Sequence, residues 1–263
     1  MTRFELTLTR YHDDGDPQQI VAVPDGVYAI GKKAFFCNYA IRKVVVPEGV
    51  TALGEEAFAG CLHLEEVELP DSLVSIGEGA FRGCTRLRSA ILPSNVSVIG
   101  ERAFMRCGSL ADVRLPASLE AIGRECFREC LSLRSVEIPG GIQILETALF
   151  KGCKKLERVT LPEKLETLED EVFKGCESLT GCNLPECVGW IGRDAFNGCS
   201  SLQDMIVPNN VTSLEEGVFS SCAQLCSVSI SAALSYVDQD ACRNSPCKLV
   251  TRESQLAEYK WVL

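Results

Sequence analysis

Apolar and polar positions along the chain recur on a fixed step. Proline stands at positions 24, 47, 70, 93, 116, 139, 162, 185 and 208, and phenylalanine at 35, 58, 81, 104, 127, 150, 173, 196 and 219. Both series advance by 23 residues, and each takes nine of the eleven residues of its type. Averaged over the copies, the unit reads Leu-x-x-Val-x-Leu-Pro-x-x-Leu-x-x-Ile-Gly-x-x-Ala-Phe-x-x-Cys-x-x. The copy from Leu64 to Arg86 carries it as Leu64, Val67, Leu69, Pro70, Leu73, Ile76, Gly77, Ala80, Phe81 and Cys84. A period of roughly 20–50 residues marks a solenoid or array. Alternation in Val67-Glu68-Leu69 predicts a short strand with Val67 and Leu69 inward. The next residue, proline, lacks a ladder donor and ends that strand at a corner. Turn residues follow, as in Pro47-Glu48-Gly49-Val50 and Pro208-Asn209-Asn210-Val211. A second extended piece, Leu73 to Ile76, then leads into Gly77 and a tight apolar turn through Ala80-Phe81. Glu146, Glu169, Glu215 and Asp238 fill the Gly77 column in four copies, so that turn does not strictly demand a positive φ.

One such copy cannot bury its own apolar face. Stacked copies about 4.8 Å apart do so, and the Phe, Leu, Ile and Val columns become one core. The ends of a stack need sealing. Residues 1–19 are expected to form the N-terminal cap, with a strand from Phe4 to Arg10 and a turn from His12 to Pro17. In the tenth copy Ser231 replaces the proline, Cys242 the phenylalanine and Ser245 the cysteine. Repeats thus fill 20–242, and 243–263 is expected to be the C-terminal cap of a single domain spanning 1–263.

The recurring Leu-Pro-x-x-Leu-x-x-Ile-Gly-x-x-Ala-Phe-x-x-Cys, as in Leu69 to Cys84, resembles the BspA-like leucine-rich repeat; Leu92 to Cys107 keeps the pattern with Val96 in the Leu column. The resemblance covers roughly residues 20–242. It implies a β-rich α/β solenoid, a right-handed leucine-rich repeat superhelix of about ten 23-residue coils, used for protein binding. Many members look like bacterial surface proteins that attach to host or neighbouring-cell proteins. The motif is a scaffold and transfers no catalytic residue.

Charge narrows the classes further. With 26 Lys+Arg against 36 Asp+Glu the net charge is −10, which argues against nucleic acid, whose binding needs clustered cations. No apolar run reaches the roughly 18–20 residues that span a bilayer, so membrane insertion is not expected. The start, Met1 to Arg10, alternates in polarity and lacks the apolar stretch of a secretory signal. That points to a cytoplasmic protein, or to a secreted or surface protein if an export signal has been removed.

Fifteen cysteines invite a metal or disulfide reading. Eight of them (Cys61, Cys84, Cys107, Cys130, Cys153, Cys176, Cys199 and Cys222) form the repeat column, and Cys126 and Cys182 replace apolar residues in core columns. A ladder of buried thiols, small hydrophobes with weak donors, explains them best, since side chains pointing the same way suit a disulfide poorly. Cys222, Cys226, Cys242 and Cys247 superficially resemble a zinc site. Cys222 and Cys242 belong to different columns, however, so convergence on one ion is not expected. No metal or other cofactor is expected.

Catalysis finds little to work with. His12 and His63 are the only histidines, and neither has a nucleophile placed beside it by the repeat. Glu66 and Glu68 share a strand face about 6.8 Å apart, a separation that suits an inverting glycosidase. Neutralisation of Glu66 by Lys43 one coil away is the better explanation, and Arg114 and Glu137 are expected to pair in the same way. Variation between copies is greatest at outward positions beside the Val67 column: Lys43, Val45, Glu66, Glu68, Ser89, Ile91, Asp112, Arg114, Ser135, Glu137, Arg158, Thr160, Gly181, Asn183, Asp204 and Ile206. These strands are expected to line one sheet that binds a protein partner whose identity and stoichiometry the sequence does not give. Three basic and five acidic residues there imply modest electrostatic steering. Trp190 stands where other copies have Ala52, Ser75, Val98 or Ala121 (Tyr236 excepted), and is either an interface anchor or a packing residue. A charged ridge after the Gly77 column, including Glu55, Glu56, Glu125, Glu171 and Asp194 against Lys32, Lys33 and Arg102, is expected to be a solvated edge.

Overall fold

The computed structural model describes residues 6–8 and 20–252. It is a β-solenoid of about ten turns, whose rungs group into two compact units, Met1–Arg134 and Ser135–Leu263. In the first unit, one row of strands runs Ile20–Ala22, Lys43–Val45, Glu66–Glu68, Ser89–Ile91 and Asp112–Arg114. A second row runs Val27–Ile30, Ala52–Leu53, Ser75–Ile76, Val98–Ile99 and Ala121–Ile122. Neighbours pair in parallel at the repeat register, with Val44 opposite Val67 and Leu53 opposite Ile76. The second unit repeats this with Ser135–Glu137, Arg158–Thr160, Asp204–Ile206, Ser227–Ile230 and Lys248–Thr251 in the first row. Its second row is Ile144–Leu145, Thr167–Leu168, Trp190–Ile191, Ser213–Leu214 and Tyr236–Val237, with pairing lapsing between Trp190–Ile191 and Ser213–Leu214.

The expected α/β character is not found: residues 20–251 contain no helix. Alternate N–H groups of each Phe turn explain why. Ala80, Arg82 and Cys84 donate to carbonyls three residues back, whereas Gly79, Phe81 and Gly83 donate to Glu101, Ala103 and Met105 of the next rung at 2.8 Å. An α-helix would need all of them for its own i−4 carbonyls. Left-handed residues four apart impose the alternation: Gly79 and Gly83 here, Glu56 and Gly60, Arg102 and Arg106, and Glu125 and Glu129 in other copies. The turns therefore add a third hydrogen-bonded row.

Phenylalanine fills the interior behind that row. All nine repeat phenylalanines are buried. Their rings stack at 4.8–5.6 Å from Phe35 to Phe127 in the first unit, and at 5.3–5.7 Å from Phe150 to Phe219 in the second. Offset stacking at this separation adds to the burial itself.

The Gly77 column has normal negative φ, as its replacement by acids implied, but the reason for glycine is a close approach. A Cβ on Gly77 would lie 2.8 Å from the carbonyl carbon of Gly54 and the carbonyl oxygen of Leu53, both backbone atoms of the previous rung. The N–H of Gly77 bonds to Leu53 O at 2.8 Å, and where Glu169 replaces glycine its N–H still bonds to Leu145 O at 2.9 Å.

Leu6–Leu8 falls within the expected Phe4–Arg10 strand and extends the second row beside Val27–Ile30. The turn from His12 to Pro17 and residues 253–263 lie outside the described residues. At the other end Lys248–Thr251 pairs with Ser227–Ile230 as an extra rung, and Arg252 reaches back to Asn209 Oδ1 at 3.0 Å and to the carbonyl of Val207.

Candidate interaction surface

The first row presents its outward side chains as the alternation requires. Val44, Val113, Val136 and Met205 point in and are buried, while Ile91 and Ile206 point out and are 55% and 62% exposed. Asp112, Arg114, Glu137, Arg158 and Asp204 are exposed beside them. The row is not one sheet, however. Within the first unit, pairing lapses between Glu66–Glu68 and Ser89–Ile91. Within the second it lapses at Gly181–Asn183, which form no strand, glycine and asparagine both being poor strand formers. Val45, expected outward, is half-buried.

Lys43, Glu66 and Glu68 come together as one cluster. The Lys43 ammonium lies 2.9 Å from Glu66 and also binds Glu68, and hydrogen bonds to the two carboxylates raise its pKa. This is the neutralisation expected from the sequence, extended to the second carboxylate. Arg114 lies 3.7 Å from Asp112 of its own strand, and Ser227 donates to Asp204 at 2.8 Å. Trp190 does not join this face; it stands on the second row, 41% exposed.

The eight ladder cysteines are fully buried, and the thiols of Cys61, Cys84, Cys107, Cys130, Cys176, Cys199 and Cys222 donate to the carbonyl of a phenylalanine in the previous rung, from Cys61 to Phe35 at 3.0 Å through Cys222 to Phe196 at 3.2 Å. Each is thus a weak donor serving a specific acceptor. Where the tenth copy has serine, Ser245 Oγ makes the same bond to Phe219 at 2.6 Å. Burial pushes the Cys107 thiol up to about 12 and likewise raises Cys61, Cys84, Cys176, Cys199 and Cys222, so these thiols stay protonated and unreactive. At the C-terminal end burial, and after it the neighbouring Cys247 thiol, push the Cys242 thiol up to about 12. Among the described residues no three His, Cys, Asp or Glu side chains are arranged to hold a metal ion, and no helix is long and apolar enough to cross a membrane.

Residues 16–134 and 120–250 match the family model described as the BspA type leucine-rich repeat region, in six copies. The chain belongs to the BspA-type leucine-rich repeat family. Among solved structures it is 39% identical to the T. pallidum leucine-rich repeat protein, covering 66% of this chain and 82% of that one with a TM-score of 0.62. It shares its fold with the pneumococcal vaccine antigen PcpA (18% identity, 97% and 82% covered, TM-score 0.57). A leucine-rich repeat protein of Eubacterium ventriosum is similar at the same level (18%, 93% and 89%, TM-score 0.52). No curated protein sequence matches the chain. These bacterial likenesses lend no support to the cytoplasmic placement expected from the sequence.

In this BspA-type solenoid the charged ridge is more than a solvated edge. Glu125 accepts from Arg102 and Arg128 at 2.5 Å each, and Glu171 pairs with Lys151 and Lys174 at 2.6 and 2.8 Å. Burial alone raises the Glu125 and Glu171 carboxyl pKa values, but the cationic partners outweigh it and leave both lowered. A carboxylate whose folded pKa is lowered contributes stability above its unfolded value, and that stability is lost as pH falls through the folded one. The thermal midpoint is therefore expected to drop on acidification below about pH 4.5, and the double variant Glu125→Gln/Glu171→Gln should flatten that fall. An unchanged acid limb in this variant would remove these two groups as its cause.

Proposed function

We infer that the protein is a non-catalytic protein-interaction scaffold that meets its partner through the outward side chains of the first row. The supporting observation is that rigid, near-identical rungs hold differing exposed side chains, with Ile91, Arg114, Arg158 and Ile206 among them. The Lys43–Glu66–Glu68 cluster sets local charge and leaves no free ammonium for a ligand. Glu137, Asp112 and Asp204 make the face mixed in sign, so recognition depends on local pairing more than on long-range steering. Leu6–Leu8 and Lys248–Thr251 act as caps in this reading, each lying beside a terminal rung. The test is the affinity for a partner purified on the wild-type chain. In Arg114→Glu/Arg158→Glu it is expected to weaken about tenfold, and an unchanged affinity would reject this face.

A second reading is a surface adhesin, favoured by the family itself and by the fold shared with a pneumococcal antigen. The two readings differ in redox compartment. In native protein the exposed Cys187 and Cys226 should react first with a thiol reagent, and the ten buried thiols only on unfolding. After denaturation without reductant, a count of 15 supports a reducing compartment; a lower count supports the adhesin.

A further inference from the structure

The second row of the second unit carries a shallow depression of about 480 Å³, lined by Glu166, Thr167, Cys187, Gly189, Trp190 and Asn210. A missing side chain contributes to it. Rungs elsewhere place Tyr, Thr, Val, Ser, Glu or Gln at the Gly189 position, among them Glu166 just before and Thr212 just after. The Gly189 N–H donates to Glu166 O at 3.0 Å, so the rung keeps its regular contact with the one before. A Cβ there would meet only Asn210 O at 3.9 Å. The space is therefore open both because the side chain is missing and because strand pairing lapses between Trp190–Ile191 and Ser213–Leu214 of the following rung.

Beside the gap, Trp190 replaces a small residue and leaves its indole exposed, in register with Thr167. Glu166 has no ion-pair partner among the described residues, and no Lys or Arg lines the depression. An aromatic face next to an unneutralised carboxylate, on a chain of net charge −10, complements a flat cation. A guanidinium stacks on indole and forks hydrogen bonds to a carboxylate, which a compact ammonium does less well. An anionic group would instead be repelled by Glu166.

We propose that this depression receives the guanidinium of an arginine presented by a protein partner. The proposal rests on the reading of the chain as a protein-binding scaffold but puts a specific contact on the second row. The test uses the full chain with Trp261→Phe, which leaves Trp190 as the one tryptophan, and follows its indole N–H resonance. The probes are the capped peptide Gly-Gly-Arg-Gly-Gly and its citrulline twin, which keeps the shape and loses the charge. The arginine peptide is expected to shift the resonance saturably and to bind about fivefold tighter than the twin. Glu166→Gln should bring that ratio close to one, and Gly189→Gln, which fills the gap without a backbone clash, should abolish the response. Equal binding of the two peptides, or a response surviving Gly189→Gln, would overturn the proposal. Partner affinity separates the two claims: loss in Arg114→Glu/Arg158→Glu but not in Gly189→Gln would sink the depression and leave the scaffold standing. The reverse pattern supports the depression and rejects the first row.

Discussion

Phe81→Ala is expected to destabilise the first unit by about 4 kcal/mol. The ring is fully buried and stacks on Phe58 and Phe104 at 5.2 Å on either side. Truncation removes its transfer free energy and leaves a cavity bounded by two rings that the three hydrogen-bonded rows hold in place. Each lost ring pair adds about 0.5–1.5 kcal/mol beyond area burial, which keeps the effect toward the upper part of the usual range. Phe219 provides the comparison. It stacks on Phe196 at 5.6 Å, but the next rung offers Cys242 in the phenylalanine column, so Phe219→Ala should cost nearer 3 kcal/mol. Urea unfolding reads both, as a lowered midpoint at unchanged slope. A Phe81→Ala midpoint close to wild type would mean that the ring column is not the core of the stack.

Gly100→Ala is the second large effect, about 3 kcal/mol. The added Cβ would stand 2.6 Å from the amide nitrogen of Glu78 and 2.7 Å from the carbonyl carbon of Gly77. Neither atom is the end of a flexible side chain. Relief requires the two rungs to move apart, which strains the bond from Gly100 N–H to Ile76 O, now 2.8 Å. Gly140→Ala is the control: nothing lies within 4 Å of its Cβ position, and its φ is not left-handed. It is expected to be neutral or to stabilise by about 0.5 kcal/mol through the unfolded chain. Equal thermal midpoints for the two alanine variants would show that close rung approach does not explain the glycine column.

Much of this architecture is legible along the chain. Prolines and phenylalanines on one step of 23 residues identify a repeat, and the buried columns through Val44, Ile76 and Cys84 follow from period and alternation alone. The family and the cross-coil ion pair at Lys43 were equally readable. Other features were not, because their cause lies in a neighbouring rung. Nothing in Glu56, Arg102 or Glu125 announces a left-handed residue, yet each adopts φ between 52° and 56°. The N–H groups of Glu56 and Arg102 each gain a carbonyl on the next turn, and this offsets the local steric cost. The turn could therefore pass for helix in a reading of residue types.

The interaction surface divides in the same way. Outward positions such as Ile91, Arg114 and Ile206 are fixed by strand alternation, so sequence places them on one side of their strands. Whether neighbouring strands pair into an unbroken sheet depends on backbone approach between rungs, and the lapse after Glu66–Glu68 has no signature in any single copy, whereas the one at Gly181–Asn183 is written in two poor strand formers. Trp190 was conspicuous in its column. The depression beside it needed Gly189 from the same rung, Glu166 and Thr167 from the rung before, and Asn210 from the rung after. By itself, then, the sequence determined the repeat, the buried columns and the family, because these follow from spacing within one copy. Only the tertiary structure decided the helix-free turns, the glycine contacts and the Trp190 depression, because each is a distance between atoms of rungs about 23 residues apart in sequence, set by how closely two backbones approach.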